Sequence, residues 1–349
     1  PSREINLVGI TGTNGKTTIV TLLHQVHATL GYKSGMLTTI EVIIHDKIIP
    51  ATHTTPDALQ INRSIREMVD QGCAYCFMEV SSHAASQHRI DGLFFKGGVF
   101  TNLTHDHLDY HKNFREYLEA KKSFFDQLGK DAFVLTNADD RNGEVMIQSC
   151  RAAKYRYGLG RIADYHGKVL ETLFEGMRMQ INEKELWARL TGRFNASNIL
   201  AVYGTSILLG HDELQVLEAI SSAGAVEGRF EVVRGPEGNV AIVDYAHTDD
   251  ALRNVLETIR EVNRDERQVI TVVGAGGDRD RSKRAKMGGV AASMSNMVIF
   301  TSDNPRSEDP VAIMQEMEKG VKDENSADVL KIADREEAIK TACVMGGPA

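Results

Sequence analysis

The run Gly9-Ile10-Thr11-Gly12-Thr13-Asn14-Gly15-Lys16-Thr17-Thr18 follows a short apolar stretch, 5–8, and leads into helical periodicity over 19–30. Strand, glycine-rich turn, Lys-Thr-Thr and helix form the layout of a phosphate-binding loop. Its glycines let backbone N–H groups converge on phosphate oxygens without a Cβ in the way. Gly12, Thr13, Asn14, Gly15 and Thr18 belong to that cradle. Lys16 adds a charge able to follow the β- and γ-phosphates, and Thr17 offers a hydroxyl to Mg²⁺. The generic G-x-x-x-x-G-K-[ST] pattern asks for its first glycine where this chain has Ile10, so the loop is a local variant with Gly12 inside it.

Two further groups could do chemistry in the same half. Glu79 closes an apolar run, 75–80, and a carboxylate at the carboxyl end of a buried strand can hold Mg²⁺ beside the phosphates. On pattern alone, a glutamate paired with a lysine reads equally well. His105, Asp106, His107, Asp109 and His111 crowd the segment 101–111, a density suited to metal binding and proton transfer. A zinc hydrolase would need H-E-x-x-H on a helix, which is absent, and the phosphate loop favours Mg²⁺. Lys121 and Lys122 lie in a helical stretch and read, by pattern, as solvent-facing charges. In the C-terminal half, three loops each follow an apolar strand-like run. They are Asp244-Tyr245-Ala246-His247-Thr248, Gly274-Ala275-Gly276-Gly277-Asp278-Arg279-Asp280-Arg281 and Asp303-Asn304-Pro305-Arg306. Three strand ends of this kind should share one edge and face a common cleft. Arg279 and Arg306 suit carboxylates, which guanidinium binds bidentately.

The elements that must position these groups alternate between apolar strand-like runs and helical periodicity, which predicts an α/β fold. We expect a central domain, 1–230, built on a mostly parallel sheet around the phosphate-binding loop, and a smaller Rossmann-like domain, 231–349. The small, glycine-rich stretch 223–230 is the expected hinge. Alternation over 171–190 predicts a hairpin at the sheet edge, and strands over 240–243, 268–273, 297–300 and 328–332 predict the second parallel series. Its last strand and helix read as incomplete. With Pro1 at one end and Met345-Gly346-Gly347-Pro348-Ala349 at the other, the chain reads as a fragment cut at both ends.

Length and charge bound the function. The 349 residues suit two domains, and 42% hydrophobic with 25% charged residues is ordinary for a soluble protein. A net charge of −8 argues against general nucleic-acid binding, while leaving room for anionic small substrates at local Lys and Arg clusters. No apolar stretch approaches a membrane span and no secretory signal opens the chain, so the expected address is cytoplasmic. Cys73-Ala74-Tyr75-Cys76 lacks a second pair to complete a zinc site, and reads as buried free thiols at a strand edge.

Taken together, the motifs from Thr11 to Arg306 resemble the Mur ligases, ATP-dependent amide-forming enzymes of peptidoglycan precursor synthesis. Thr54-Thr55-Pro56-Asp57, Glu79-Val80-Ser81-Ser82-His83, Gln87-His88-Arg89 and Asp303-Asn304-Pro305-Arg306 resemble the members that add meso-diaminopimelate to UDP-N-acetylmuramoyl-L-alanyl-D-glutamate. Lysine-adding members lack the final arginine, and Arg306 could pair with the distal carboxylate that lysine does not have. The resemblance implies ATP and one Mg²⁺ on the loop with Thr17, and a second Mg²⁺ on Glu79, His107 and a carbamylated Lys121. It implies Asn195 at the adenine, Asp244 at the ribose, His247 close to the nucleotide and Arg229, on the hinge, at the γ-phosphate. Thr54, Thr55, Ser81, Gln87 and Arg89 would bind the UDP-muramoyl dipeptide, and Arg279, Asp303, Asn304 and Arg306 the incoming amino acid. Lys16, His107, Lys121 and Arg229 would carry catalysis. The N-terminal domain that grips the uridine nucleotide and a C-terminal Gly-Lys-Gly-His-Glu segment would lie outside this chain.

The implied reaction activates the D-glutamyl side-chain carboxylate as an acyl phosphate, which the diaminopimelate amine then attacks to expel phosphate. His105, Asp106 and His111 are candidate bases for that amine. The implied partners are small molecules only, with no nucleic acid and no membrane, and the chain is expected to act as a monomer. The rivals are another ligase of the superfamily, such as a lysine-adding, folylpolyglutamate or cyanophycin synthetase, or a P-loop ATPase module.

Overall fold

The structure is a computed structural model and describes residues 1–347 except 52, 105, 107–109, 236–237 and 323–326. The chain forms two compact units. One comprises Pro1–Thr104 and Asn113–Val226, the other His105–Lys112 and Glu227–Ala349.

The first unit contains β1 (Asn6–Thr11), α1 (Lys16–Thr29), β2 (Ser34–Leu37), β3 (Glu41–Ile44), β4 (Lys47–Pro50), α2 (Ala58–Asp70), β5 (Tyr75–Glu79), α3 (Ser82–Ser86) and β6 (Gly97–Phe100). It continues through α4 (Phe114–Asp126), β7 (Phe133–Asn137), α5 (Gly143–Ile147), β8 (Ala153–Gly158), β9 (Tyr165–Leu173), β10 (Gly176–Ile181), β11 (Lys184–Ala188), α6 (Arg193–Leu208) and α7 (Glu213–Ser222). Among the described residues the strands make one sheet in the order β11-β10-β9-β8-β7-β6-β1-β5-β2-β3-β4. Its middle, from β2 to β9, is parallel, and both ends are antiparallel.

The central strands read as unbroken apolar runs because both faces are covered. Successive side chains go to opposite cores. Val8 and Ile10 of β1 and Phe77 of β5 join the cluster with α1, α6 and α7, whereas Leu7, Cys76 and Met78 join the one with α2, α3 and α4. The predicted hairpin over 171–190 is a three-strand meander that begins earlier, at Tyr165. Cys73 and Cys76 are free and buried as expected, but Cys76 lies in β5, an interior strand, not at an edge.

The second unit contains β12 (Glu231–Arg234), β13 (Val240–Val243), α8 (Asp249–Val262), β14 (Ile270–Val273), α9 (Ser282–Met294), β15 (Met297–Phe300), α10 (Pro310–Glu318), β16 (Asp328–Lys331) and α11 (Arg335–Met345). β14, β15 and β16 form a parallel sheet, the expected smaller α/β element. Two expectations are corrected. The strand over 240–243 pairs antiparallel with β12 in a separate sheet, because its partner is the strand that precedes it in the chain, with Glu231 opposite Val243. The three C-terminal loops therefore do not share one sheet edge. The last strand and helix, read as incomplete, are both formed, and Met345 closes α11. Among the described residues no helix is long and apolar enough to cross a membrane.

Candidate functional site

In the first unit the loop between β1 and α1 is braced from behind by the segment after β6. Thr13 N donates to Asn102 O (2.8 Å), Asn14 N to Asn102 Oδ1 (2.9 Å), and Thr101 Oγ1 to Asn14 O (2.6 Å). Gly12 has φ +152°, and a Cβ there would lie 1.8 Å from Thr101 Oγ1. Gly12 is thus the glycine this loop needs, while Ile10, in the generic glycine position, is a buried β1 residue. Lys16 folds over the turn, its Nζ donating to Gly12 O (2.9 Å) and Thr13 O (2.8 Å). The ammonium is thereby held at the mouth of a cradle that opens α1, where N–H groups and helix dipole favour an anion.

Next to it, Thr17 Oγ1 donates to Glu79 Oε1 (2.8 Å). Glu79 is 1% exposed and also accepts from Thr39 N (2.8 Å) and Thr39 Oγ1 (3.2 Å). Among the described residues no cation pairs with this buried carboxylate, an arrangement that is costly unless a positive charge arrives. The lysine-paired alternative for Glu79 is therefore not what the structure has. Among the described residues no three His, Cys, Asp or Glu side chains are grouped to hold a metal ion. His105, His107 and Asp109 lie outside the described residues.

Lys121 is corrected from a surface charge to a buried one. It is 2% exposed, with Nζ donating to Gly12 O (2.8 Å) and lying 4.7 Å from the Tyr117 ring centroid. Its helical neighbour Lys122 instead pairs with Asp126 at 2.7 Å. Tyr117, not singled out by sequence, has its hydroxyl 3.0 Å from Thr13 Oγ1. The amphipathic phase of α4 carried this signal: Tyr117, Lys121, Phe124 and Phe125 all lie on its buried face.

The candidate dipeptide-binding residues are joined to one another. Thr39 Oγ1 donates to Thr54 Oγ1 (3.1 Å), and Thr55 Oγ1 to Glu79 O (2.8 Å). Ser81 N donates to Thr55 Oγ1 (3.1 Å), and Arg89 donates to Thr55 O (2.8 Å) and to Gln87 Oε1. Asn195 is fully buried, its Nδ2 donating to Thr191 O (2.9 Å) and its Oδ1 accepting from Asn198. Asn198 is the residue of α6 that approaches the loop: a Cβ on Gly15 would lie 2.5 Å from its Oδ1.

In the second unit Asp244 accepts from Phe230 N and Ala246 N, both at 2.7 Å, and burial raises its pKa despite the nearby Arg229 and His247. The Arg229 guanidinium lies 4.5 Å from the Tyr245 ring centroid. His247 Nε2 is 3.5 Å from Asp106 Oδ2, and Lys283 Nζ is 3.6 Å from Asp106 Oδ1. The loops after β14 and β15 interlock. Gly277 N donates to Asn304 O (2.9 Å), Arg306 Nη1 donates to Gly277 O (2.6 Å), and a Cβ on Gly277 would lie 1.9 Å from Pro305 O. Asp303 sits 3.8 Å from Arg335. Arg279 and Arg306 both approach Gly276 and are exposed, so cationic side chains converge on one solvent-facing turn.

Comparison with known proteins finds relatives over nearly the whole chain. The profile of the Mur ligase middle domain matches residues 10–206, and that of the Mur ligase, glutamate ligase domain, matches 228–348. A UDP-N-acetylmuramoyl-L-alanyl-D-glutamate--2,6-diaminopimelate ligase of Cytophaga hutchinsonii is 54% identical over 345 residues, 99% of this chain and 71% of that protein. The like-named protein of Geobacillus kaustophilus is 40% identical over 352 residues, 98% and 71% of the two chains. A solved structure of a ligase of that name has TM-score 0.68 at 32% identity, covering 99% of this chain and 71% of that one. Folylpolyglutamate synthase of Mycobacterium tuberculosis, complexed with ADP and AMPPCP, has TM-score 0.75 at 16% identity, over 99% and 85% of the two chains. This last likeness is one of fold alone.

Proposed function

The chain belongs to the Mur ligase family, and from that premise we propose that it joins meso-diaminopimelate to UDP-N-acetylmuramoyl-L-alanyl-D-glutamate at the expense of ATP. The observation that carries the reading is the Thr17–Glu79 pair beside the Lys16 cradle: a hydroxyl and a buried carboxylate that no cation among the described residues pairs with, next to a fixed ammonium. Hard oxygen donors of this kind fit Mg²⁺. The identities of 54% and 40% with diaminopimelate ligases support the choice of substrates.

Lys16 and the loop N–H groups hold the β- and γ-phosphates and offset charge on the transferring phosphoryl group, a positioning and electrostatic task. When bound, Mg²⁺ neutralises phosphate charge and draws electron density from the γ-phosphorus. Thr17 and Glu79 would hold one ion, and Glu79, His107 and a carbamylated Lys121 a second. A carbamate keeps one N–H on Lys121 for the bond to Gly12 O and adds an anion at its far end. The D-glutamyl side-chain carboxylate attacks the γ-phosphate, ADP leaves, and the acyl phosphate forms. The amine then attacks the acyl carbon, loses a proton, and expels phosphate. Arg229, Asp244, His247 and Asn195 are assigned to the nucleotide. Thr54, Thr55, Ser81, Gln87 and Arg89 are assigned to the UDP-muramoyl dipeptide, and Arg279, Asp303, Asn304 and Arg306 to diaminopimelate. The reading includes action as a monomer in the cytoplasm.

The test is phosphate release by the full-length protein with ATP, Mg²⁺ and the UDP-muramoyl dipeptide, with diaminopimelate or lysine as the amine. Release with diaminopimelate alone is expected. Lys16→Ala should lower kcat by about 10²–10³, the usual scale for one electrostatic group. Arg306→Ala should raise the diaminopimelate KM roughly tenfold or more, as loss of a charge-assisted bond does. Equal release with lysine sinks the assignment of Arg306, and ATP turnover that needs neither carboxylate nor amine sinks the ligase reading.

A further inference from the structure

The mechanism leaves unused the largest fully buried side chain among the described residues, Arg284 on α9, 1% exposed. Its guanidinium donates to Glu308 Oε1 (2.7 Å) and Oε2 (3.0 Å), to Glu316 Oε2 (2.8 Å) and to Gly276 O (3.2 Å). Glu308 follows β15 by eight residues and spans both interlocked loops. Its Oε1 also accepts from Asp278 N (2.7 Å), and its Oε2 from Arg281 Nη2 (2.6 Å). The Arg284 bond is the first cause holding the Glu308 carboxyl far below its ordinary range. Asp278 in turn accepts from Ser307 Oγ (2.7 Å) and Ser307 N (3.2 Å).

These bonds reach Asp278 directly and, through it, Ser307 beside Arg306, and both Asp278 and Arg306 have left-handed backbone, which few non-glycine residues adopt. Asp278 has φ +50° and Arg306 φ +49°. Non-glycine residues persist there only where the surroundings over-determine them, and such strain gathers at ligand-binding turns. A buried ion pair is in general a poor source of stability, since two apolar residues would serve as well, but it can fix one geometry among several. Here the pair reaches the turns at two points, Arg284 at Gly276 O and Glu308 at Asp278 N, while the Arg284 bond to Glu316 ties it to α10.

We propose that Arg284 and Glu308 are positioning residues of the amine-substrate pocket, holding the turns at Asp278 and Arg306 in the geometry that selects an amine with a second, distal carboxylate over lysine. This rests on the reading of those loops as the diaminopimelate pocket. A single truncation would leave a buried charge unpaired, so the informative variant is the double Arg284→Met/Glu308→Met. Glu308→Gln, which keeps the volume and one acceptor, is measured beside it.

In the full-length protein, both variants should raise the diaminopimelate KM by about tenfold to a hundredfold, the scale on which a displacement near 1 Å acts. They should leave the ATP KM and the saturated kcat close to wild type and cut the diaminopimelate-to-lysine selectivity by a similar factor. Folded variants with unchanged selectivity overturn the positioning role, as does a loss of kcat shared with a raised ATP KM. Wild-type protein that turns over no diaminopimelate overturns the functional reading and this role with it. Diaminopimelate turnover with intact selectivity in both variants overturns the role alone.

Discussion

At the scale of single residues, the nucleotide site leaves no room for a side chain at Gly12. Gly12→Ala places a Cβ 1.8 Å from Thr101 Oγ1 at a φ of +152°. The substitution should destabilise by about 2–3 kcal/mol, since both the clash and the backbone oppose it, and should abolish nucleotide protection against thermal unfolding. A melting curve with and without ATP and Mg²⁺ reads both effects, and an unshifted curve would mean that the cradle does not need this glycine. Glu79→Gln keeps the acceptor for Thr17 but removes the buried charge. It should weaken the Mg²⁺ dependence of ATP turnover at least tenfold while the fold is retained, measured by titrating Mg²⁺ at fixed ATP. Of the site, Lys16, Thr17 and Glu79 were legible because a loop motif and a strand end state their own chemistry. Lys121 was not legible from its residue type. Only the phase of α4, with Tyr117 and Phe124 on the same face, places it inside, and a lysine on that face reads as an exception until the packing around it is seen.

At the scale of elements, α1 is packed through a histidine. His27 is fully buried, with Nδ1 2.7 Å from Leu23 O and its ring against those of Tyr75 and Phe77 at 4.6 and 4.7 Å. Its Nε2 has no hydrogen-bond partner among the described residues, and the His211 ring lies 4.8 Å away. Burial, with smaller repulsion from His211 and His24, lowers its pKa to about 3. The unfolded chain therefore binds a proton that the folded one refuses between pH 3 and 6.5. The stability that neutral His27 permits is whole above pH 6.5 and is lost as pH falls. Between pH 7 and 5 the loss should be about 2 kcal/mol. Urea unfolding at both pH values should show a smaller difference for His27→Gln than for wild type, and equal differences would contradict a buried neutral imidazole. The elements themselves were legible where period and caps agreed. Asp57 and Asp212 cap α2 and α7 through Gln60 N and Gln215 N, and the apolar runs became β1, β5 and β6. Pairing was less legible, because Val240–Val243 reads alike whether its partner is parallel β14 or antiparallel β12.

At the scale of the whole molecule, the chain divides its work between two units, one built around a phosphate cradle and one carrying the paired Arg279 and Arg306 turns. That division suits a reaction with two chemical halves, activation of an acid and capture by an amine. In the proposed reaction the carboxylate is activated by phosphoryl transfer and not by direct hydrolysis of ATP beside it. That route is tested most directly by carrying oxygen-18 in the D-glutamyl side-chain carboxylate of the UDP-muramoyl dipeptide. The full-length protein is given ATP, Mg²⁺ and diaminopimelate, and the released phosphate is analysed by mass. Each phosphate should carry one labelled oxygen and form in step with the amide product. Unlabelled phosphate accompanying that product would contradict that route.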